Sequence, residues 1–170
     1  MKSKFVQYYV EGEDEEKFIH VLKTDLGVIR PGKVQKLNVI EHVLTDARLM
    51  TLRPGTMTVL IFDTDTGHTN ILIKNLEKLK NCSAVSEIVT IPQILNLEDE
   101  LIRCCDIKKI TELLGSKSKK DFKTDFIRTN NLANKLKEHH FDINQLWCQH
   151  PLSPYQYIIN QAEKIKLSGQ

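Results

Sequence analysis

One apolar segment, Met57 to Phe62, constrains the fold of this chain more than any other feature of the sequence. It reads MTVLIF, follows the turn formed by Arg53 to Gly55, and ends directly before Asp63. A half-exposed strand alternates apolar and polar residues, whereas a strand covered on both faces of a parallel sheet is apolar almost throughout. The segment therefore predicts a central strand of an α/β sheet with helices on both sides.

Strand-like and helical segments alternate through the first part of the chain, as in α/β folds with right-handed crossovers. β-branched and aromatic residues mark the strands, and apolar residues at helical spacing mark the helices. The predicted strands are Phe5–Val10, Val34–Val39, Met57–Phe62 and Ile88–Ile91. The predicted helices are Glu13–Leu26, Ile40–Leu49 (one face: Val43, Ala47, Met50) and Asn70–Leu79 (one face: Ile71, Ile73, Leu76, Leu79).

The remainder reads as mainly helical, with an exposed basic loop at Lys117 to Lys123. We predict a single domain of 170 residues, with an α/β core over residues 5–105 and a helical extension over residues 106–170. No apolar run approaches the roughly 20 residues that cross a bilayer, and the cysteines include no CxxC pair, so we expect a soluble, cytoplasmic protein with free thiols. The helices predicted after the fourth strand are Leu97–Cys105, Ile107–Leu114, Asn130–His140 and Pro154–Ile165.

Acidic residues follow two of the predicted strands. Glu11 comes directly after the first strand, and Asp63 and Asp65 come directly after the third. In parallel sheets ligands bind at the carboxyl ends of the strands, and residues at i and i+2 point to one side, with Thr64 turned away. Two carboxylates on one side repel unless a cation lies between them, and hard oxygen ligands suit Mg²⁺ or Mn²⁺. The alternative is that the aspartates only form a turn and cap the helix that starts near Thr69.

These motifs resemble the TOPRIM (topoisomerase-primase) domain. VEGEDEE, Val10 to Glu16, places Glu11 and Gly12 after a strand, and IFDTDTG, Ile61 to Gly67, supplies a DxD after a later strand. The family, which includes DnaG-type primases, topoisomerases and overcoming-lysogenization-defect nucleases, carries such a glutamate and DxD at the metal-binding edge of a parallel sheet. The resemblance covers residues 5–105 and implies a Rossmann-like sheet of about four strands flanked by helices. Topoisomerase and primase accessory domains are not recognisable, so strand passage and primer synthesis are not expected.

The resemblance also implies roles for particular acids. Carried over by position, Glu11 is a general acid/base or a metal ligand, and Asp63 and Asp65 bind metal. Glu15 lies at the family's acidic position four residues after that glutamate. Glu98, in the segment NLEDEL, would help to hold a second metal, as in the nuclease branch, although an acidic helix start is the alternative. The implied cofactor is Mg²⁺ or Mn²⁺.

A lysine assists phosphate stabilisation in the nuclease branch of the family. The segment SKKDFK offers Lys119, Lys120 and Lys123, of which we take Lys120 as the catalytic candidate.

Together these residues predict metal-dependent hydrolysis of phosphodiesters in DNA or RNA. Two Mg²⁺ ions about 4 Å apart would bind the scissile phosphate, activate a water and stabilise the leaving oxygen. Residues 103–170 carry 12 basic and 7 acidic side chains, against 12 and 15 in residues 1–102, so we expect the basic part to bind the polyanion. The predicted nucleic-acid-binding residues are Lys117, Lys119, Lys120, Lys123 and Arg128.

Other functions remain open at the level of the sequence. Haloacid dehalogenases also place a DxD after an apolar strand, with the first aspartate as nucleophile, but His68 departs from their motif and Glu11 would have no role. A partner-dependent TOPRIM module is a second alternative: related nucleases carry an ABC-type ATPase in the same polypeptide, and this sequence has no GxxxxGK[ST], so an ATPase would come from a separate chain. The oligomeric state is open, a homodimer included.

Two further groups of residues have a functional and an ordinary interpretation. His139, His140, Cys148 and His150 cluster without a recognised zinc spacing, which favours a helix end and a loop. Aromatic side chains could stack on bases, although packing in the core is the more common role; they are Trp147, Tyr155 and Tyr157.

Overall fold

The fold was analysed in a computed structural model that describes Ser3 and residues 5–167. Within these residues the chain forms four strands and six α-helices. The strands are β1 (Phe5–Val10), β2 (Lys33–Lys36), β3 (Thr56–Asp63) and β4 (Val85–Gln93). The helices are α1 (Glu13–His20), α2 (Asp46–Met50), α3 (Asn70–Lys80), α4 (Leu97–Cys104), α5 (Lys119–Arg128) and α6 (Leu132–Glu138).

The four strands form one parallel sheet in the order β2-β1-β3-β4. β3 lies between β1 and β4, and every residue from Thr56 to Phe62 is buried. The predicted α/β class, with a parallel sheet flanked by helices, is therefore confirmed. Because all strands run the same way, their carboxyl ends meet at one edge, which carries Glu11 and Asp63.

Apolar side chains cover both faces of the sheet. On one face α1, α4, α5 and α6 pack together, and Phe18 lies 6.4 Å from Phe126 and from Trp147 between ring centroids. On the other face α3 and the segment 37–44 pack against Phe62 and Tyr155. Two separate layers of core are what a strand as apolar as β3 requires.

The predicted helix Ile40–Leu49 is wrong. Only α2 is helical there, and Val43 and Met50, expected on its buried face, are exposed. The cause is the fully buried side chain of Asn75 on α3, which accepts from Leu44 N at 2.7 Å and donates to the carbonyls of Val39 and His42, each at 2.9 Å. These bonds give partners to backbone N–H and C=O groups of the segment, so the segment stays irregular without leaving these groups unpaired.

Two predicted elements exist but differ in detail. Helix α3 buries Leu72, Asn75 and Leu79, whereas Ile73, expected on the buried face, is exposed. Strand β4 does not end before Pro92 but continues to Gln93. Proline lacks a backbone N–H and is tolerated in an edge strand, and β4 lies at the edge of this sheet.

The C-terminal part differs from the prediction in two ways: one predicted loop is largely helical, and two predicted helices are only short turns. The basic loop at Lys117 to Lys123 is instead the start of α5, capped by Ser118 and buried through Phe122 and Phe126. The predicted helices Ile107–Leu114 and Pro154–Ile165 are reduced to single 3-10 turns, at Ile110–Glu112 and Ala162–Lys164. No helix among the described residues is both long and apolar enough to cross a membrane.

The segment 159–161 runs along the outer edge of β4. Gln161 N donates to Thr90 O at 2.9 Å, and Thr90 Oγ1 donates to Ile159 O at 2.7 Å. This irregular segment therefore occupies the position beside β4 that a fifth strand would take.

Candidate active site

A cleft of about 770 Å³ opens at the carboxyl edge of the sheet. Its lining includes carboxylates from the end of β1, the start of α1, the segment after β2, the end of β3 and the start of α4. The fold therefore brings together all five acids that the sequence predicted, and their role as metal ligands stays a prediction. The acidic side chains in the cleft are Glu11, Asp14, Glu15, Glu41, Asp63, Asp65 and Glu98.

Asp63 is held by a chain of two hydrogen bonds that leads into the core. Gln93 Nε2 donates to Asp63 Oδ1 at 2.7 Å, and Trp147 Nε1 donates to Gln93 Oε1 at 3.2 Å. Gln93 and Trp147 are each 1% exposed. An indole N–H can only donate, so it orients the Gln93 amide with its oxygen towards Trp147 and its NH₂ towards Asp63.

Thr64 joins the ends of β3 and β4. Its backbone N donates to Leu95 O at 3.0 Å, and its Oγ1 donates to Gln93 O at 2.7 Å. The Thr64 side chain is therefore turned to the loop after β4, while Asp63 and Asp65 on either side both line the cleft.

The alternative role for the two aspartates, capping the next helix, is not observed. Thr69 is the residue that precedes α3, and it makes no side-chain capping bond. In the described part of the chain neither Asp63 nor Asp65 accepts a hydrogen bond from the N-terminal amides of α3. Their place at the edge of the sheet is not explained by helix capping.

Glu15 has a structural role at the start of α1. Its Oε2 accepts from Gly12 N at 3.0 Å, which is the half of a capping box that the third helical residue supplies. The side chain is 5% exposed. Glu13 and Glu16, on the outer side of the same turn, pair instead with Lys36 at 3.4 and 3.9 Å.

Burial and mutual repulsion raise the pKa of several of these acids. The pKa of Asp63 rises to about 8, first through burial and then through the charge of Glu11, although the Gln93 amide lowers it in part. Burial and a hydrogen bond with Asp14 raise the pKa of Glu15 to about 10. The pKa of Glu11 is also raised, by burial and then by the charge of Asp65. Each carboxylate in the cleft therefore disfavours the ionisation of its neighbours, as expected for acids crowded together without a cation between them.

Lys123 is the predicted basic residue that reaches the cleft. Its Nζ lies 3.5 Å from Glu98 Oε1, and the Glu98 charge raises the lysine pKa. The other residues of the predicted binding stretch are exposed and do not line the cleft, including the catalytic candidate Lys120. They are Lys117, Lys119, Lys120 and Arg128. The register of α5, fixed by Phe122 and Phe126 in the core, selects Lys123.

The opposite wall of the cleft was not predicted. It comes from the end of β2, the segment after it and α2, and its polar side chains include Lys36, Asn38, His42 and Arg48. Arg48 Nη1 donates to Gln35 Oε1 at 3.0 Å. Because the sequence was interpreted as a helix over Ile40–Leu49, nothing in the pattern indicated that Arg48 would face the acids.

The chemistry of the donors suits Mg²⁺ or Mn²⁺, since carboxylate oxygens are the ligands these ions prefer. Glu11, Asp63 and Asp65, the predicted ligands, all line the cleft. In the rotamers described for Ser3 and residues 5–167, however, no three His, Cys, Asp or Glu side chains converge closely enough to bind one ion together. Asp65 is exposed and Glu11 is half-buried, so packing does not lock either carboxylate in its present position.

The other predicted candidates lie outside this site. Trp147 and Tyr155 are each 1% exposed, so the ordinary interpretation as core residues is confirmed for both. Tyr157 is exposed but does not line the acidic cleft. The cluster of His139, His140, Cys148 and His150 forms no metal-binding group in the described residues.

Comparisons with protein-family models, with curated proteins and with solved structures found no match to this chain.

Proposed function

We propose that this chain is a metal-dependent nuclease that hydrolyses phosphodiesters in DNA or RNA. The observation that carries the proposal is the shared cleft: Glu11 from the end of β1, Asp63 and Asp65 from the end of β3, and Glu98 from α4 line it together with Lys123. Acids with pKa values raised by burial, as for Glu11 and Asp63 here, are typical of functional sites. Glu11, Asp63 and Asp65 would hold Mg²⁺ or Mn²⁺.

A bound divalent cation would supply Lewis-acid activation of the phosphate and a lowered pKa for water. The residues of the chain then have distinct tasks. Gln93 holds one oxygen of Asp63 and leaves the other free to face the cleft. Glu11 is half-buried and lines the cleft together with Asp63 and Asp65, and there it would accept a proton from the attacking water.

Lys123 would stabilise the phosphate. Its pKa is raised by Glu98, so the ammonium group stays protonated at neutral pH and can donate to a phosphate oxygen. Its salt bridge with Glu98 is 3.5 Å long and partly exposed, so the ammonium can exchange this partner for a phosphate at small cost.

The proposal is tested by Mn²⁺-dependent cleavage of plasmid DNA and of single-stranded RNA. Glu11→Gln and Asp63→Asn should each lower the cleavage rate by about 100-fold or more, with circular dichroism showing that both variants are folded. Glu77→Gln is the matched control, because Glu77 is exposed on α3 outside the cleft. Equal cleavage by the wild type, Glu11→Gln and Asp63→Asn would exclude the nuclease assignment.

The same variants separate a nuclease from a dehalogenase-type phosphatase. That alternative uses Asp63 as nucleophile and gives Glu11 no role. Hydrolysis of p-nitrophenyl phosphate that survives Glu11→Gln and is lost in Asp63→Asn would favour the phosphatase.

A further inference from the structure

The acidic cleft has a cationic group on each wall. Lys123 of α5 belongs to the helical layer on one face of the sheet, and Arg48 of α2 belongs to the layer on the other face. The acids at the ends of β1 and β3 lie along the edge between them. Acidic side chains outnumber Lys and Arg in the lining of the cleft, so a polyanion that reaches these acids needs cations beside them.

Arg48 differs from the other cations of the cleft in its partners. Lys36 lies near the carboxylates of Glu13 and Glu16, and Lys123 lies near Glu98. Among the residues that the structure describes, Arg48 makes no salt bridge, and its guanidinium contacts the neutral oxygen of Gln35 instead. Its charge is therefore available to a ligand, and a guanidinium presents a fork of donors that matches two phosphate oxygens.

The position of Arg48 is fixed by the fold. Leu44 N donates to Asn75 Oδ1 at 2.7 Å, and Lys78 Nζ donates to Leu44 O and to Asp46 Oδ1, each at 2.8 Å. These bonds anchor the start of α2 to α3. The guanidinium is thus presented from a segment tied to the core, which reduces the entropy lost when it binds a ligand.

The lining of the cleft suits a phosphate better than a stacked base. No Phe, Tyr or Trp side chain from the described part of the chain lines it, so bases have no stacking platform there. Its neutral polar groups include Asn38 and Asn96. Such a lining favours contacts with the sugar-phosphate backbone, which are independent of sequence.

We propose that Arg48 is a phosphate-binding residue of a nucleic-acid subsite, and that the strand crosses the carboxyl edge of the sheet from Arg48 to Lys123. The inference rests on the proposed nuclease function. Arg48 holds a phosphate that neighbours the scissile one, and the strand is bound from both faces of the sheet. Of the nucleic-acid-binding residues predicted from the sequence, this path keeps Lys123, and it adds Arg48.

Binding is measured by fluorescence anisotropy of short fluorescein-labelled DNA and RNA oligonucleotides over a salt series, with Ca²⁺ in place of Mg²⁺. Arg48→Ala should weaken binding about tenfold, the loss expected for hydrogen bonds to a charged group. It should also reduce the slope of log K against log salt by about 0.7 on a single strand. Arg48→Lys, which keeps the charge but not the fork, should fall between Arg48→Ala and the wild type.

Arg53→Ala is the control, because it removes the same charge at the opposite end of the sheet, where Arg53 stacks on Phe5. Wild-type affinity and an unchanged salt slope in folded Arg48→Ala, with cleavage intact in the wild type, would overturn the Arg48 subsite and leave the nuclease standing. An equal loss in Arg53→Ala would overturn it as well, because the effect would then be one of net charge. A wild type that neither binds nor cleaves the oligonucleotides would overturn the proposed function itself.

Discussion

The side-chain amide of Gln93 donates to Asp63 Oδ1 at 2.7 Å and joins the last residue of β4 to the last residue of β3. The bond is partly buried, and Trp147 Nε1 orients the amide by donating to Gln93 Oε1. In the proposed function Asp63 binds the metal and Gln93 orients Asp63 without touching the metal. The loss of such an indirect partner costs about 10- to 100-fold in metal affinity or activity.

Gln93→Leu should therefore weaken Mn²⁺ binding by about tenfold, because Asp63 loses the group that orients it. Isothermal titration with Mn²⁺ measures this without turnover. Trp147→Phe keeps an aromatic ring in the core but frees the amide to rotate, so it should weaken Mn²⁺ binding as well. Unchanged affinity in both folded variants would show that the bond only stabilises the sheet.

The metal-free chain should become less stable as the pH rises. The pKa of Glu15 is about 10 in the folded chain and 4.5 ordinarily, so between these values the folded chain keeps a proton that the unfolded chain releases. Its contribution to stability is complete below pH 4.5 and is lost as the pH rises towards 10. Glu15→Gln keeps an oxygen for Gly12 N and removes the charge, so it should flatten this dependence.

Thermal unfolding in EDTA across this pH window measures the effect. At the alkaline end the Tm of Glu15→Gln should exceed that of the wild type by about 3 °C or more. Glu13→Gln, a change at an exposed position of the same helical turn, is the control and should follow the wild-type curve. Parallel curves for Glu15→Gln and the wild type would contradict the prediction.

Asp63→Asn should have opposite effects with and without metal. In EDTA it should raise the Tm, because burial and then repulsion from Glu11 raise the pKa of Asp63 and destabilise its charged form. Mn²⁺ at about 100 times its Kd stabilises a protein by about 2.7 kcal/mol, and the wild type should show this gain. Asp63→Asn should lose most of it. A wild-type Tm that does not respond to Mn²⁺ or Mg²⁺ would contradict metal binding at this edge.

Lys123 and Lys120 should differ in their effect on cleavage, although they are three residues apart on α5. Lys123→Met should lower the cleavage rate by about tenfold or more, since it removes a charged donor to the phosphate. Lys120 is exposed outside the cleft, and Lys120→Met should change the rate by less than about threefold, the effect of a peripheral charge. A larger loss of cleavage in Lys120→Met than in Lys123→Met would instead favour Lys120, the catalytic candidate predicted from the sequence.

The sequence predicted the parts of this molecule that depend on local pattern. The apolar run at Met57–Phe62 identified the central strand, and Glu11, Asp63 and Asp65 were found because each follows a strand whose carboxyl end lies at one edge. Glu98 was predicted from the resemblance of the segment NLEDEL, which follows the fourth strand, to the nuclease branch of the TOPRIM family. Topology alone carries such residues to a common place.

The parts that failed depend on tertiary contacts. Asn75 holds the segment after β2 in an irregular form that brings Arg48 to the cleft, and a polar residue in an amphipathic helix gives no sign of such bonds. Pro92 was interpreted as the end of β4, which removed Gln93 from the predicted edge. Lys123 could not be separated from Lys120 before the buried face of α5 was known.

The segment 159–161 has a consequence for the solubility of the chain. An uncovered edge strand is a template for pairing with other chains, and natural proteins cover or charge such edges. By bonding to Thr90, this segment covers part of the β4 edge of the sheet. The short strand β2 at the other edge begins and ends with a lysine, Lys33 and Lys36. One edge strand is therefore covered by another segment and the other is short and charged. A chain cut before residue 159 would expose the edge of β4, which could then pair with β4 of a second chain.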